Sequence, residues 1–177
     1  MSSKRRRFAE GTEVEVGKTK LELDALLAKH GATQRAVFED DEAGRAVVQF
    51  RMQERLVRLE VHLAPSKPLP DPSLVAYCQA KDVSCPSGWN VWTVPRREDW
   101  CRAQREQYAR EAWRRVLLVT KAKLEIVADG ASTLEREFLA DVLLPDGRTV
   151  HEALAHQLAR SYTDGSMPPL LPARSET

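Results

Sequence analysis

From Arg45 to Leu63 the chain reads RAVVQFRMQERLVRLEVHL, with apolar side chains at alternate positions on either side of one interruption. Val48, Phe50 and Met52 fall on one side of the first segment, and Val57, Leu59, Val61 and Leu63 on one side of the second. A period of two is that of a β-strand, and the polar residues between the apolar ones mean that one face is buried and the other solvated. Gln53-Glu54 leaves room only for a tight reversal, so the two segments are expected to pair antiparallel. A sheet with one apolar face needs an element to cover it.

The stretch before this hairpin supplies one. Thr12 to Val16 (TEVEV) alternates as a short strand should, and Thr19 with Glu22 three residues on has the form of a capping box. Leu23, Leu26 and Leu27 follow at helical spacing, and Gly31 stands where a helix stops. AVFEDD then starts a strand that ends in an acidic turn at Gly44. Residues 12–64 are therefore expected to form a β-α-β-β-β unit, the helix lying on one side of a small antiparallel sheet.

The character changes at residues 65–95. APSKPLPDPS and CPSGW are broken by proline and glycine, which marks a long surface loop with one helical turn around Leu74 to Ala80. Beyond Pro95 a long helix is expected over Glu98 to Ala128, with acids in its first turn and Gly130 as its stop. Ser132 with Glu135 and Thr149 with Glu152 are two further capping boxes, opening the shorter helices STLEREFLAD and VHEALAHQLARSY. Between them VLLPDGRTV is an extended segment with a Pro-Asp-Gly turn. The expected architecture is a single α+β domain: a flexible basic tail (1–11), the β-α-β-β-β unit, the proline-rich loop, a helical part (96–165) and an extended tail (166–177) held through Leu170 and Leu171. A length of 177 residues fits one domain.

A formal net charge of +1 argues against a protein that coats nucleic acid indiscriminately and leaves room for a local basic face. No apolar run approaches a membrane span, so no membrane partner is expected. MSSKRRRFAEG lacks the apolar core of a secretory signal. Cys78, Cys85 and Cys101 have no short paired spacing, which suits free thiols in a cytoplasmic setting better than a zinc site. No cofactor or metal is expected.

Trp89 to Arg115 (WNVWTVPRREDWCRAQREQYAREAWRR) holds all four tryptophans and a dense set of arginines. One reading is an ordinary helix with its aromatics inward and arginines on a solvated face. The other is a surface for nucleic acid. In it Arg5, Arg6, Arg7, Arg114, Arg115, Lys121 and Lys123 would hold phosphates, and the loop residues Trp89 and Trp92 would stack on bases, at about 1–3 kcal/mol per base.

The far face of the sheet is a second candidate, because Gln49, Arg51, Arg58, Glu60 and His62 share it. It is expected to be a solvated face with cross-strand charge pairs or a polar recognition patch. Metal-dependent hydrolysis or nuclease chemistry would draw on Glu60, His62 and the acidic run Glu39 to Glu42. HEALAH (His151 to His156) spaces its histidines five apart, about 140° around a helix, so they do not form the zinc-protease pair.

TEVEVGKTKLELDALLAKHGAT and the C-terminal LLVTKAKLEIVADGASTLEREFLADVLLPDGRTVHEALAHQLARSYTDGSMPPLLP together resemble small uncharacterised proteins encoded by phages and prophages. The resemblance covers most of the chain apart from the basic tail and the proline-rich middle. It implies a mobile-element origin and a host-cell setting, and it carries over no active-site residue. Joined to the residues above, it leads to the expectation of a non-enzymatic accessory protein. Such a protein would bind nucleic acid or a host protein of DNA metabolism or defence. A metal-dependent hydrolase and a structural protein that self-assembles through the long helix are the alternatives.

Overall fold

The leucines at helical spacing do form a helix, α1 (Val16–Lys29), which buries Leu23 and Leu27 against the sheet. Its end is set by backbone chemistry: Gly31 takes a left-handed φ of 82°, and the His30 and Gly31 amides bond back to Leu26 and Ala28. The structure is a computed structural model and describes residues 8–63, 69 and 87–165. The basic tail with Arg5, Arg6 and Arg7, the expected helical turn at Leu74 to Ala80, and the C-terminal Leu170 and Leu171 lie outside the described residues.

Three antiparallel strands follow, β1 (Thr33–Asp40), β2 (Arg45–Met52) and β3 (Arg55–His62), in that spatial order. The register sets Val48 beside Val37 and Leu59, and Phe50 beside Val57. Ala46, Val48, Phe50 and Met52 are buried together with Val57, Leu59 and Val61, as the alternation requires. The β2–β3 reversal has Gln53 and Glu54 both at positive φ, 45° and 64°, the type I′ geometry that matches strand twist.

The sheet has three strands where four were expected. Thr12 to Glu15 form no strand, although their alternation is sound. Four residues gain little unless an edge receives them, and the β3 edge is partly occupied: Val57 bridges Val142, and the Leu143 amide donates to Leu56 O at 2.8 Å. The segment instead leads straight into α1, with Glu15 as the N-cap residue. Thr19 therefore lies inside the helix, fully buried, its hydroxyl donating to Glu15 O, and does not cap it.

After a 3₁₀ turn (Trp89–Val91), the long helix α2 spans Val94–Ala128, with Pro95 tolerated in its first turn. It starts four residues before the position expected from sequence. The short helix α3 (Leu134–Phe138) is capped by Thr133, whose hydroxyl accepts from the Arg136 amide; Ser132 instead bonds Glu137. The Pro-Asp-Gly turn is present, with Gly147 at a φ of 83°. Helix α4 (Val150–Asp164) opens on the expected reciprocal Thr149/Glu152 cap, and Gly165 ends it.

Two apolar clusters result. The main core joins α1, the inner sheet face, Trp113, Leu117 and Leu124 of α2, and Leu134 and Phe138 of α3; Phe50 and Phe138 meet edge to face at 6.0 Å. A small cluster of Trp89, Cys101, Leu69, Trp92 and Trp100 sits at the head of α2. Between them residues 102–106 are exposed on every side of the helix. From Cys101 to Ala112 is about 17 Å along the axis, so α2 works as a bridge between two cores. Among the described residues no helix is long and apolar enough to cross a membrane.

Candidate nucleic-acid interface

Trp89 is not an open platform for a base. It is 3% exposed, with Trp92 at 5.9 Å and Trp100 at 5.5 Å between ring centroids and the Arg97 guanidinium 5.8 Å from its ring. Proline and glycine around it permit a turn that folds the indole under the helix head. Gly88, at a φ of 78°, makes that turn. Trp92 is only half-buried, and Arg96, one helical turn on, stacks over it at 4.4 Å. Trp100 is half-buried in the same cluster and Trp113 is fully buried in the main core.

The expected cations divide by azimuth. Arg96, Arg110, Arg114 and Lys121 are separated by 14, 4 and 7 residues, near-multiples of the helical repeat, so they form one stripe. The stripe runs roughly 37 Å along α2. Arg115 lies about 100° away from Arg114, and its guanidinium rests 5.5 Å above the Tyr108 ring. Lys123 is on the opposite flank, 3.7 Å from Asp141 and 4.8 Å above the Phe138 ring. The structure thus brings Trp92, Arg114 and Lys121 onto one line and leaves Trp89, Arg115 and Lys123 off it.

The stripe is not uniformly free. Arg114 Nη1 donates to Glu22 Oε2 at 2.5 Å across the α1–α2 contact, and Arg110 donates twice to Gln107 Oε1, at 3.1 and 2.7 Å. Arg96 and Lys121 are exposed and form no ion pair among the described residues. At the lower end an apolar-floored groove of about 420 Å³ separates the helices, lined by Leu26, Lys29, Leu117 and Lys121 and flanked by Glu22 and Glu125. Glu125 there stands 3.6 Å from both Lys29 and His30.

The polar sheet face is assembled as the alternation implies, with Gln49 beside Arg58 and Glu60 beside Val47. It is largely satisfied from within. Arg58 donates to both Glu152 oxygens, at 2.6 and 2.5 Å, and to Gly147 O. Glu152 also accepts from the Thr149 amide at 2.7 Å, so one carboxylate caps α4 and ties it to the sheet. The Thr149 amide bond, with Arg58, holds its pKa below the ordinary carboxylate range. Arg51 bonds Gln34, Glu60 lies 3.4 Å from Arg45, and His62 is exposed opposite Arg45. Glu39 pairs with Lys20, and Asp40 accepts from the Ala43 amide. Among the described residues no three His, Cys, Asp or Glu side chains are grouped to hold a metal ion.

Arg110 was expected on the solvated arginine face of the helix together with Arg102 and Arg114, and not as a phosphate contact. Arg96 was not singled out from sequence and could have been found by extending the Arg114–Lys121 spacing back along the helix. Asp141 carried no sequence signal: half-burial raises its pKa, opposed by Lys123 and His151. It sits in a separate depression of about 220 Å³ with Glu60, Arg115 and Lys123. Comparison with family models, curated proteins and solved structures returned no match.

Proposed function

We propose that the protein is a non-enzymatic binding protein that lays the α2 stripe along the phosphate backbone of nucleic acid. The observation that carries this is the alignment of Arg96, Arg110, Arg114 and Lys121 on one side of α2, exposed at Arg96 and Lys121 and half-buried at Arg110 and Arg114, and headed by the Trp92–Arg96 stack. Phosphate contact depends on where cations stand and not on net charge, which is only +1 here. Trp92 offers a half-exposed ring where an unpaired base or sugar can rest once Arg96 swings to a phosphate. An accessory role within an infected or lysogenic cell is part of the same proposal.

The test is a salt titration of binding to single- and double-stranded DNA. Affinity should fall log-linearly with salt, and Arg96→Ala or Lys121→Ala should each reduce the slope by about one. Arg115→Ala, off the stripe, should leave the slope unchanged. No binding at low salt would remove the proposal; equal effects of all three variants would remove the stripe as its site.

A further inference from the structure

Among the described residues nothing pairs with the outer edge of β1, since the sheet order is β1-β2-β3. Native edge strands are usually short, charged or covered. Here the centre of the strand is Ala36-Val37-Phe38, with Val37 44% and Phe38 57% exposed, one on each face of the sheet. Beside Val37 an apolar groove of about 510 Å³ runs between β1 and α1, lined by Leu21, Leu23, Leu27 and Val48; Leu21 itself is 75% exposed. An edge that is apolar at its centre and lies next to an open apolar groove is a template for another strand.

The charges on the strand identify that strand. Arg35 and Glu39 flank Val37 symmetrically, two residues before and two after it, and all three point to the α1 side. On α1 the complementary order occurs: Asp24 holds Arg35 at 2.6 Å and Lys20 holds Glu39 at 2.5 Å. We infer that β1 pairs antiparallel with β1 of a second copy about a two-fold axis through Val37, joining the two sheets into one of six strands. That register sets Val37 against its own mate, Ala36 against Phe38, and Arg35 against Glu39 of the second copy. Each side then carries an alternating row: Asp24, Arg35, then Glu39 and Lys20 of the other chain. Shifting the axis by two residues in either direction breaks these Arg–Glu pairings. The bulge between Thr33 and Ala36, with Gln34 at a φ of 49°, ends the paired segment at one end, and the turn after Asp40 ends it at the other.

The test uses the full chain in sedimentation equilibrium across a wide concentration range. Wild-type mass should rise from 20.0 kDa toward twice that value. Arg35→Glu and Glu39→Arg each set like charges opposite one another at both ends of the pairing and should each stay monomeric. Mixed one to one, the two variants regain opposite charges at both ends and should form a heterodimer of near wild-type affinity. Val37→Lys, at a position 44% exposed, should raise the dimer dissociation constant at least tenfold with an unchanged far-ultraviolet dichroism spectrum. A wild type that remains at 20.0 kDa up to millimolar concentration overturns the inference. So does a dimer indifferent to these substitutions, or a charge-reversed pair that fails to associate when mixed. None of these outcomes depends on nucleic-acid binding.

Discussion

Replacing Ala103 and Gln104 together by glycine loosens the exposed bridge of α2 without touching either core. Both side chains are exposed, and so are their neighbours from Arg102 to Glu106, so no packing is lost. What is lost is helix propensity, about 1 kcal/mol for Ala103 and slightly less for Gln104. The sum, about 1.7 kcal/mol, should shift the opening equilibrium of the helix head roughly twentyfold. Among the described residues the small cluster buries Trp89 and Cys101, with Leu69, Trp92 and Trp100 partly buried against them, so little described packing opposes the change. Hydrogen–deuterium exchange followed by mass spectrometry reads it: amides of residues 94–106 should exchange faster by about that factor, while those of 112–124 keep their protection. Equal acceleration in both segments would mean that the two clusters unfold as one body. No acceleration would mean that the bridge is braced by something other than its own hydrogen bonds. Either result refutes the two-core description of α2.

Phe138→Ala removes a fully buried ring that meets Phe50 edge to face at 6.0 Å, and should cost about 3–5 kcal/mol in urea unfolding. A loss below about 1 kcal/mol would show that α3 does not seal the sheet. The pH dependence has two signs. The carboxyls of Glu152, Asp24 and Asp146 are held low, chiefly by the Thr149 amide, Arg35 and the Arg148 amide respectively. Their stabilisation is present above the unfolded-chain pKa and is lost as pH falls through the depressed values, so Glu152→Gln should flatten the acid limb of the stability curve. Asp141, raised by burial, keeps its proton in the folded state at a pH where the unfolded chain has lost it. Its contribution is therefore full below the unfolded pKa and declines as pH rises through the folded one, and Asp141→Asn should remove that decline.

The hairpin from Arg45 to His62 was legible because a period of two, a two-residue reversal and a half-buried face all require one register. Helix α4 was legible from Thr149 and Glu152 because both halves of its cap are local. Thr19 misled for the opposite reason: its spacing to Glu22 fits a cap, but tertiary packing buries it and moves the helix start to Val16. Thr12 to Val16 misled because alternation states only that a segment suits a strand, and pairing depends on an edge that sequence does not display. Of the site, the arginine density of α2 was visible and its azimuth was computable. The depth of Trp89 was not, since it depends on a turn at Gly88 and on Trp100 closing over it. The arrest of Arg58 by Glu152 joins residues far apart in the chain and had no local signature.

The most direct test of the α2 stripe is the salt slope of DNA binding for wild type, Lys121→Ala and Arg115→Ala measured side by side. A linear log–log dependence is expected, with the slope reduced by about one for Lys121→Ala and unchanged for Arg115→Ala. Absence of binding at about 50 mM salt, or a slope that responds to Arg115 and not to Lys121, would contradict it.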